Sequence, residues 1–186
     1  MPWDLAQAFT LDLTPQAGDI DGLNHTNNAV YVQWCERIGW AHSEALGLNL
    51  GDYHRLDRAM VIRQAHYDYL LPSLLGEPLV LGTWITASDG KLTMERRFQL
   101  VRASDKATIL RGHWHLVCVE LTSGKPRRMP EAFCSIYLPA LTAACSGAHT
   151  ADDSPQPWRR TMAWVMAVRT PGAGGCPPVD RPARCC

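Results

Sequence analysis

The sequence predicts an α+β domain in which one long amphipathic helix is followed by a run of antiparallel strands. Three observations carry that expectation. Val30, Trp34, Ile38, Ala41 and Ala45 recur at steps of three and four, which puts them on one face of a helix. From Met60 onward the apolar period changes to two, the mark of strands with alternating faces. Turn residues punctuate that second region at Asp89-Gly90, Ser104-Asp105-Lys106 and Ser123-Gly124-Lys125-Pro126. An amphipathic helix with nothing else to pack on must be covered by the sheet.

The elements follow in order. Residues 8–13 alternate apolar and polar and form a first short strand. The stretch from Asp19 to Asn28 is polar and turn-forming. Thr26 or Asn27 then caps the long helix, because a short side-chain oxygen satisfies a free backbone N–H of the first turn. Gly47 stands just past its end, where a left-handed residue closes a helix. Its length is about twenty residues, or roughly 30 Å at 1.5 Å per residue. Residues 49–57 are polar, broken by Gly51, and read as a connection; Tyr53, His54, Arg55 and Arg58 either flank a ligand mouth there or are simply solvated.

Val61, Arg63, Ala65, Tyr67 and Tyr69 share one face of the next strand, which ends before Leu71-Pro72. Leu79, Leu81, Thr83 and Ile85 mark another, and Asp89-Gly90 turns it into a returning strand bearing Leu92, Met94, Arg96, Phe98 and Leu100. Residues 109–121 are apolar on both faces, as in a strand of the sheet interior. Residues 130–139 close the domain. Beyond Pro139 the composition shifts to Ala, Ser, Thr and Pro, and residues 170–186 are dominated by Pro, Gly, Arg and Cys. The expected organisation is a domain over residues 1–140 and a mostly disordered, dispensable tail over 141–186, with one short helix possible at 158–168.

Bulk properties narrow the function. A chain of 186 residues with 46% hydrophobic and 19% charged residues holds enough apolar material for one full core. Its 18 basic and 18 acidic residues balance, so no nucleic-acid footprint is expected. The count of 7 cysteines is odd and none forms a Cys-x-x-Cys pair; Cys35, Cys118 and Cys134 are expected as buried free thiols. Met1-Pro2-Trp3-Asp4 has neither the basic start nor the apolar run of a signal peptide, and no stretch reaches the roughly 18 apolar residues of a membrane span. A reduced, cytoplasmic setting is the default expectation.

The chemistry is expected where the acidic loop meets the helix. A helix N-terminus offers unpaired N–H donors and the positive end of a dipole, suited to an anion or a developing oxyanion. Asp21, a few residues upstream, would supply a carboxylate opposite those donors. The residues alone also suit an ordinary capped loop in which the aspartates make side-chain turns.

Asp19-x-Asp21, followed by Asn24-His25-Thr26-Asn27-Asn28-Ala29-Val30-Tyr31, resembles the signature of hotdog-fold acyl-CoA thioesterases of the 4-hydroxybenzoyl-CoA thioesterase-like family. Members usually read Gly-His-Val-Asn-Asn; here Asn24 stands for the Gly and Thr26 for the Val. The motif is matched closely, and residues 5–140 follow the family's element order loosely. The resemblance implies a hotdog fold, with a curved antiparallel sheet wrapped around the long helix. It implies hydrolysis of an acyl-CoA to a free acid and coenzyme A, with Asp21 as nucleophile or general base. Asn28 would give its backbone N–H to the thioester oxygen. His25 would hold the loop or orient Asp21, and Tyr31 would pack at the helix–sheet seam with its hydroxyl near the site. No cofactor or metal is implied. A homodimer or homotetramer is, with the active site between protomers.

Lys125, Arg127 and Arg128 form a dense basic cluster, either a rim for the phosphates of coenzyme A or a solvated turn. His113 and His115 share a strand face, with His66 on a candidate neighbouring strand, but no acidic or Cys partner stands at a metal-ligand interval. The competing function is a non-catalytic hotdog module that binds acyl-CoA or a related ligand, which has no need of Asp21. A hydratase on the same fold would want Asp and His at another spacing than Asp21 and His25.

Overall fold

The computed structural model describes residues 3–142. Its strands are β1 (Phe9–Leu13), β2 (Arg58–Tyr69), β3 (Leu79–Ser88), β4 (Thr93–Arg102) and β5 (Thr108–Glu120). They form one antiparallel sheet in the order β1-β3-β4-β5-β2. The helices are α1 (Asn28–Ala45), α2 (Leu50–Leu56) and α3 (Glu131–Tyr137). The sheet curves around α1, which is the hotdog arrangement.

α1 starts where the sequence places it: Asn27 caps it, its side-chain oxygen accepting the Ala29 N–H at 2.9 Å. Gly47 follows its end with a φ of 103°, a conformation that a Cβ would strain. The buried face differs from the expected one. Val30, Trp34 and Ile38 are buried, but the stripe continues through Tyr31, Cys35, Gly39, His42 and Ser43, not through Ala41 and Ala45. The curved sheet reaches around more than one row of side chains, so polar His42 and Ser43 enter the interior.

Three expectations are corrected. Residues 49–57 are not a plain connection: Asn49 and Asp52 form a reciprocal capping box at 3.1 and 3.2 Å, and α2 follows, burying Tyr53. Residues 130–139 contain a helix, α3, which buries Phe133 and Tyr137. In β2, the register shifts between Ile62 and Gln64 opposite Leu116 and His115. A bulge changes which face each later residue takes. Val61 therefore pairs with outward Val117, whereas Ala65, Tyr67 and Tyr69 pair with Trp114, Gly112 and Leu110 on the helix-facing side.

The turn at Asp89-Gly90 is as expected, with the Asp89 carboxylate accepting the N–H groups of Lys91, Leu92 and Thr93 at 2.7–2.9 Å. Those bonds hold its carboxyl well below the usual carboxylate range, against the opposing effect of burial. Cys35 and Cys118 are buried free thiols as expected, whereas Cys134 is only half-buried. Packing continues past the expected boundary at 140: Leu141 bridges Ile85, and the Thr142 N–H reaches the Ile85 carbonyl at 2.9 Å. The rest of the expected tail, including the helix at 158–168, lies outside the described residues. No helix among the described residues is long and apolar enough to cross a membrane.

Phe98, 2% exposed, sits on the helix-facing side of β4 with its ring 4.5 Å from that of Trp114. Phe98→Ala should cost about 3–5 kcal/mol through lost burial and the cavity left behind. A lowered urea midpoint at unchanged slope reads this out; a loss below about 1 kcal/mol would place Phe98 outside the cooperative core.

Candidate functional site

The acidic loop is built by its own backbone. One carboxylate oxygen of Asp21, Oδ1, accepts the N–H of Leu23 at 2.8 Å and of His25 at 3.3 Å. The Asp21 N–H in turn reaches the His25 carbonyl at 2.8 Å, and Asn24 takes a φ of 62° to close the turn. The second oxygen, Oδ2, accepts no hydrogen bond among the described residues. Asp19 joins in from the other side, its carbonyl accepting the Asn27 N–H at 2.8 Å.

A buried polar latch ties this loop to the β2–β3 connection. The Ser73 carbonyl accepts the Thr26 N–H at 2.9 Å, and the Ser73 hydroxyl donates to Thr26 Oγ1 at 2.8 Å. Tyr31 completes it: its hydroxyl lies 2.9 Å from Ser73 Oγ and accepts the Ser73 N–H at 3.1 Å. Tyr31 thus packs at the helix–sheet seam as expected, but its hydroxyl is taken up in the latch. Ser73 is silent in the sequence, because a serine between Pro72 and Leu74 carries no periodic signal.

At the start of α1 the donors divide unevenly. Ala29 gives its N–H to Asn27 Oδ1 and Val30 gives its own to the Asn27 carbonyl, both at 2.9 Å. The Asn28 N–H has no acceptor among the described residues, and Asn28 is exposed. The His25 backbone holds the loop, whereas its ring makes no hydrogen bond to Asp21 among the described residues. The carboxylate is positioned by N–H groups instead.

The other expected binding residues lie elsewhere. The Asp21 loop stands at the Tyr69 end of β2, where the Tyr31 and Tyr69 rings are 5.8 Å apart. Lys125, Arg127 and Arg128 are exposed at the opposite end, where Arg127 approaches Glu120 at 3.5 Å and Glu120 pairs with Arg58. Twelve residues of extended strand separate the two ends, about 36 Å at 3.3 Å per step. One chain therefore does not bring the basic cluster to Asp21. On the outer sheet face, His113 meets Glu95 at 3.2 Å and His66 meets Asp68 at 3.1 Å. Among the described residues no three candidate ligands converge on a metal position.

A cavity of about 260 Å³ opens between the C-terminal half of α1 and the sheet. Its walls include Trp40, Met60, Met94, Trp114 and Leu116, with Glu36, Ser43, Tyr53, Arg96 and Tyr137 supplying polar groups. None of Asp21, His25, Asn28 and Tyr31 lines it. Arg96 projects from the helix-facing side of β4, between Met94 and Phe98, and is 2% exposed. Its Nη1 donates to His42 Nδ1 at 2.9 Å and to Thr83 Oγ1 at 3.4 Å, while Nη2 lies 3.5 Å from Ser43 Oγ. A guanidinium only donates, so His42 is neutral at Nδ1 and carries its proton on Nε2. Burial, and then the Arg96 charge, lower the His42 pKa to about 4. Tyr53 and Tyr137 share a very short hydroxyl contact, and Tyr137 donates to Ser43 Oγ at 3.1 Å. A legible signal for Arg96 existed: a charged residue at an inward position of a period-two strand.

The Cys35 thiol, pushed up to about 12 by burial, stays protonated and is no nucleophile.

With this geometry in view, residues 15–136 match the family model of the thioesterase-like superfamily, and the chain belongs to that superfamily. A 1,4-dihydroxy-2-naphthoyl-CoA thioesterase from Synechocystis is similar in structure, with a TM-score of 0.64 and 20% identity over 71% of this chain and 96% of that one. A hypothetical protein from Staphylococcus aureus, solved in complex with CoA, gives a TM-score of 0.66 at 20% identity, over 74% of this chain and 87% of that one. The 12:0-ACP thioesterase from Umbellularia californica gives 0.67 at 14% identity, over 80% of this chain but 59% of that one. At such identities the likeness is one of fold. No curated protein sequence matches the chain.

The neutral, buried His42 makes a pH prediction. Its folded pKa lies below the unfolded value of 6.5, so the unfolded chain takes up the proton first as pH falls. This contribution to stability is present above pH 6.5 and is lost progressively down to about 4. His42→Asn keeps an acceptor for Arg96 without the titration. Urea midpoints at pH 7 and pH 4.5 should fall less in the variant than in the parent chain; equal losses would remove His42 as the cause.

Proposed function

We propose that the chain hydrolyses an acyl-CoA thioester, with Asp21 as nucleophile or general base and the Asn28 backbone N–H as oxyanion donor. The observation that carries this reading is the division of labour in the loop. Among the described residues, one oxygen of Asp21 is held by two N–H groups while the other accepts no hydrogen bond, and the adjoining helix begins with an N–H that has no acceptor. As nucleophile, Asp21 adds to the thioester carbonyl, and the carbonyl oxygen takes up the charge at the helix N-terminus. Collapse of that intermediate breaks the carbon–sulfur bond and releases the coenzyme A thiolate. Water then cleaves the acyl–aspartyl anhydride. As general base, Asp21 instead takes a proton from water as the water attacks. A thioester carbonyl is electrophilic enough that one carboxylate and an oxyanion site suffice.

The reading requires a homo-oligomer. β2 is an edge strand, exposed from Val61 to His66, with Val61 and Ile62 presenting apolar side chains. An unpaired edge of this kind is a template for another strand. Antiparallel pairing of two β2 edges about a two-fold axis sets the Tyr69 end of one beside the Arg58 end of the other. The Asp21 loop of one copy then faces the cavity end and the Lys125, Arg127 and Arg128 cluster of the second. This supports an active site between protomers, because within one chain these features lie at opposite ends of β2. It supports equally the coenzyme A phosphates docking on that basic cluster.

Asp21→Asn should lower acyl-CoA turnover at least about a hundredfold with an unchanged melting temperature. Release of the free thiol, followed with a thiol reagent over short, long and aromatic acyl-CoA esters, checks this. Near-normal turnover in the variant refutes the catalytic role. Coenzyme A binding without turnover in the parent chain would leave the non-catalytic binding module as the answer.

Ile62→Asp should split the oligomer by placing a charge on the pairing edge, with turnover lost alongside. Light scattering at micromolar concentration checks the mass, and thiol release checks the turnover. A fully active monomer, in either the parent chain or the variant, would refute the shared site.

A further inference from the structure

Arg96 is a buried cation with no countercharge in ion-pair contact among the described residues. None of the ion pairs among the described residues includes it. Its hydrogen-bond partners, His42, Thr83 and Ser43, are all neutral. Nη1 is used twice, at 2.9 and 3.4 Å, but Nη2 has one long contact of 3.5 Å and Nε donates to nothing among the described residues. Nε and Nη2 form one side of the guanidinium fork, the side that binds a carboxylate with two parallel N–H bonds. Arg96 also lines the cavity between α1 and the sheet.

The rest of that cavity matches a ligand with one anionic end. Beside Arg96 stand the Ser43, Tyr137 and Tyr53 hydroxyls, joined in a chain. Apart from the Glu36 carboxylate, the other walls are mainly apolar and aromatic, with Trp40, Trp114, Met60 and Leu116. A volume of about 260 Å³ suits a body of ring or short-chain size.

We propose that this cavity is an anion-recognising subsite, in which the free side of Arg96, assisted by the neighbouring hydroxyls, binds the carboxylate of a small organic acid whose apolar body lies against Trp40 and Trp114. Joined to the thioester-hydrolase reading, on which this step rests, it names the substrate class: a half-thioester of a dicarboxylic acid, whose far carboxylate enters the cavity. The acyl body sets length, and Arg96 sets charge. A plain acyl chain would leave the guanidinium unpaired, which gives the site its discrimination.

Two measurements on the full chain test this separately. In calorimetric titration, benzoate should bind at least about tenfold more tightly than its neutral isostere benzamide, a ratio set by the charged hydrogen-bond pair. Arg96→Met should erase the ratio and Arg96→Lys should restore part of it. Equal binding of the two ligands by the parent chain overturns the proposal whether or not the variants fold, as does a ratio that survives in folded Arg96→Met. In the second measurement, the adipic acid half-thioester of coenzyme A should exceed hexanoyl-CoA in kcat/KM by about tenfold or more, with the preference lost in Arg96→Met. Turnover of neither ester, with the benzoate preference intact, sinks the thioesterase reading and leaves the anion site standing. Equal turnover of both esters does the reverse.

Discussion

The structure depends on one constraint: a single helix, α1, has to be enclosed by a single sheet. α1 has 18 residues, and its buried set extends from Val30 to Ser43 over more than one row. A flat sheet would touch only a narrow stripe of such a helix. Curvature lets β3, β4 and β5 meet it from several directions, and α2 and α3 close the end with Tyr53, Phe133 and Tyr137. The apolar surface removed from water is the driving term, at about 25 cal/mol per Å². Two glycines mark close approaches: a Cβ on Gly39 would come within 3.3 Å of the Trp114 ring, and one on Gly112 within 3.1 Å of Tyr67.

That enclosure has a polar consequence. The wrap is wide enough to carry His42 and Ser43 inward, and β4 delivers Arg96 to meet them. A buried cation is costly unless its donors are satisfied, the penalty being several kcal/mol per ion. His42 responds by remaining neutral and accepting through Nδ1, with its ring stacked on Phe9 at 4.9 Å. Hydrogen bonds thus satisfy part of the guanidinium, while its charge stays unneutralised within the described fold.

The loop before α1 shows the complementary solution. There the polar groups are paired locally, Asp21 with Leu23 and His25, and across the fold, Thr26 and Tyr31 with Ser73. A loop pinned at both ends holds the second Asp21 oxygen, which accepts no hydrogen bond among the described residues, in a defined place. The same economy explains why Tyr31 serves the latch: a buried hydroxyl needs partners, and Ser73 supplies both a donor and an acceptor.

Local chemistry determined much of this protein from sequence alone. The period of three to four placed α1, its Asn27 cap and its Gly47 stop; the period of two placed the strands; Asp89-Gly90 placed a hairpin. The acidic loop and the Asn28 start of the helix were legible because turns and caps depend on neighbours in sequence. What depends on distant neighbours was not legible. The bulge in β2 reassigned its faces, since register is settled by the partner strand, and helices α2 and α3 emerged because tertiary packing stabilises short helices that propensity leaves marginal. Lys125, Arg127 and Arg128 are adjacent in sequence but lie a strand's length from Asp21, because β2 carries the chain from one end of the sheet to the other. Arg96, His42 and Ser43 are separated by up to 54 residues and meet only when the sheet closes around the helix. Tertiary structure alone decides such a site, because its distances are set by packing and not by spacing along the chain.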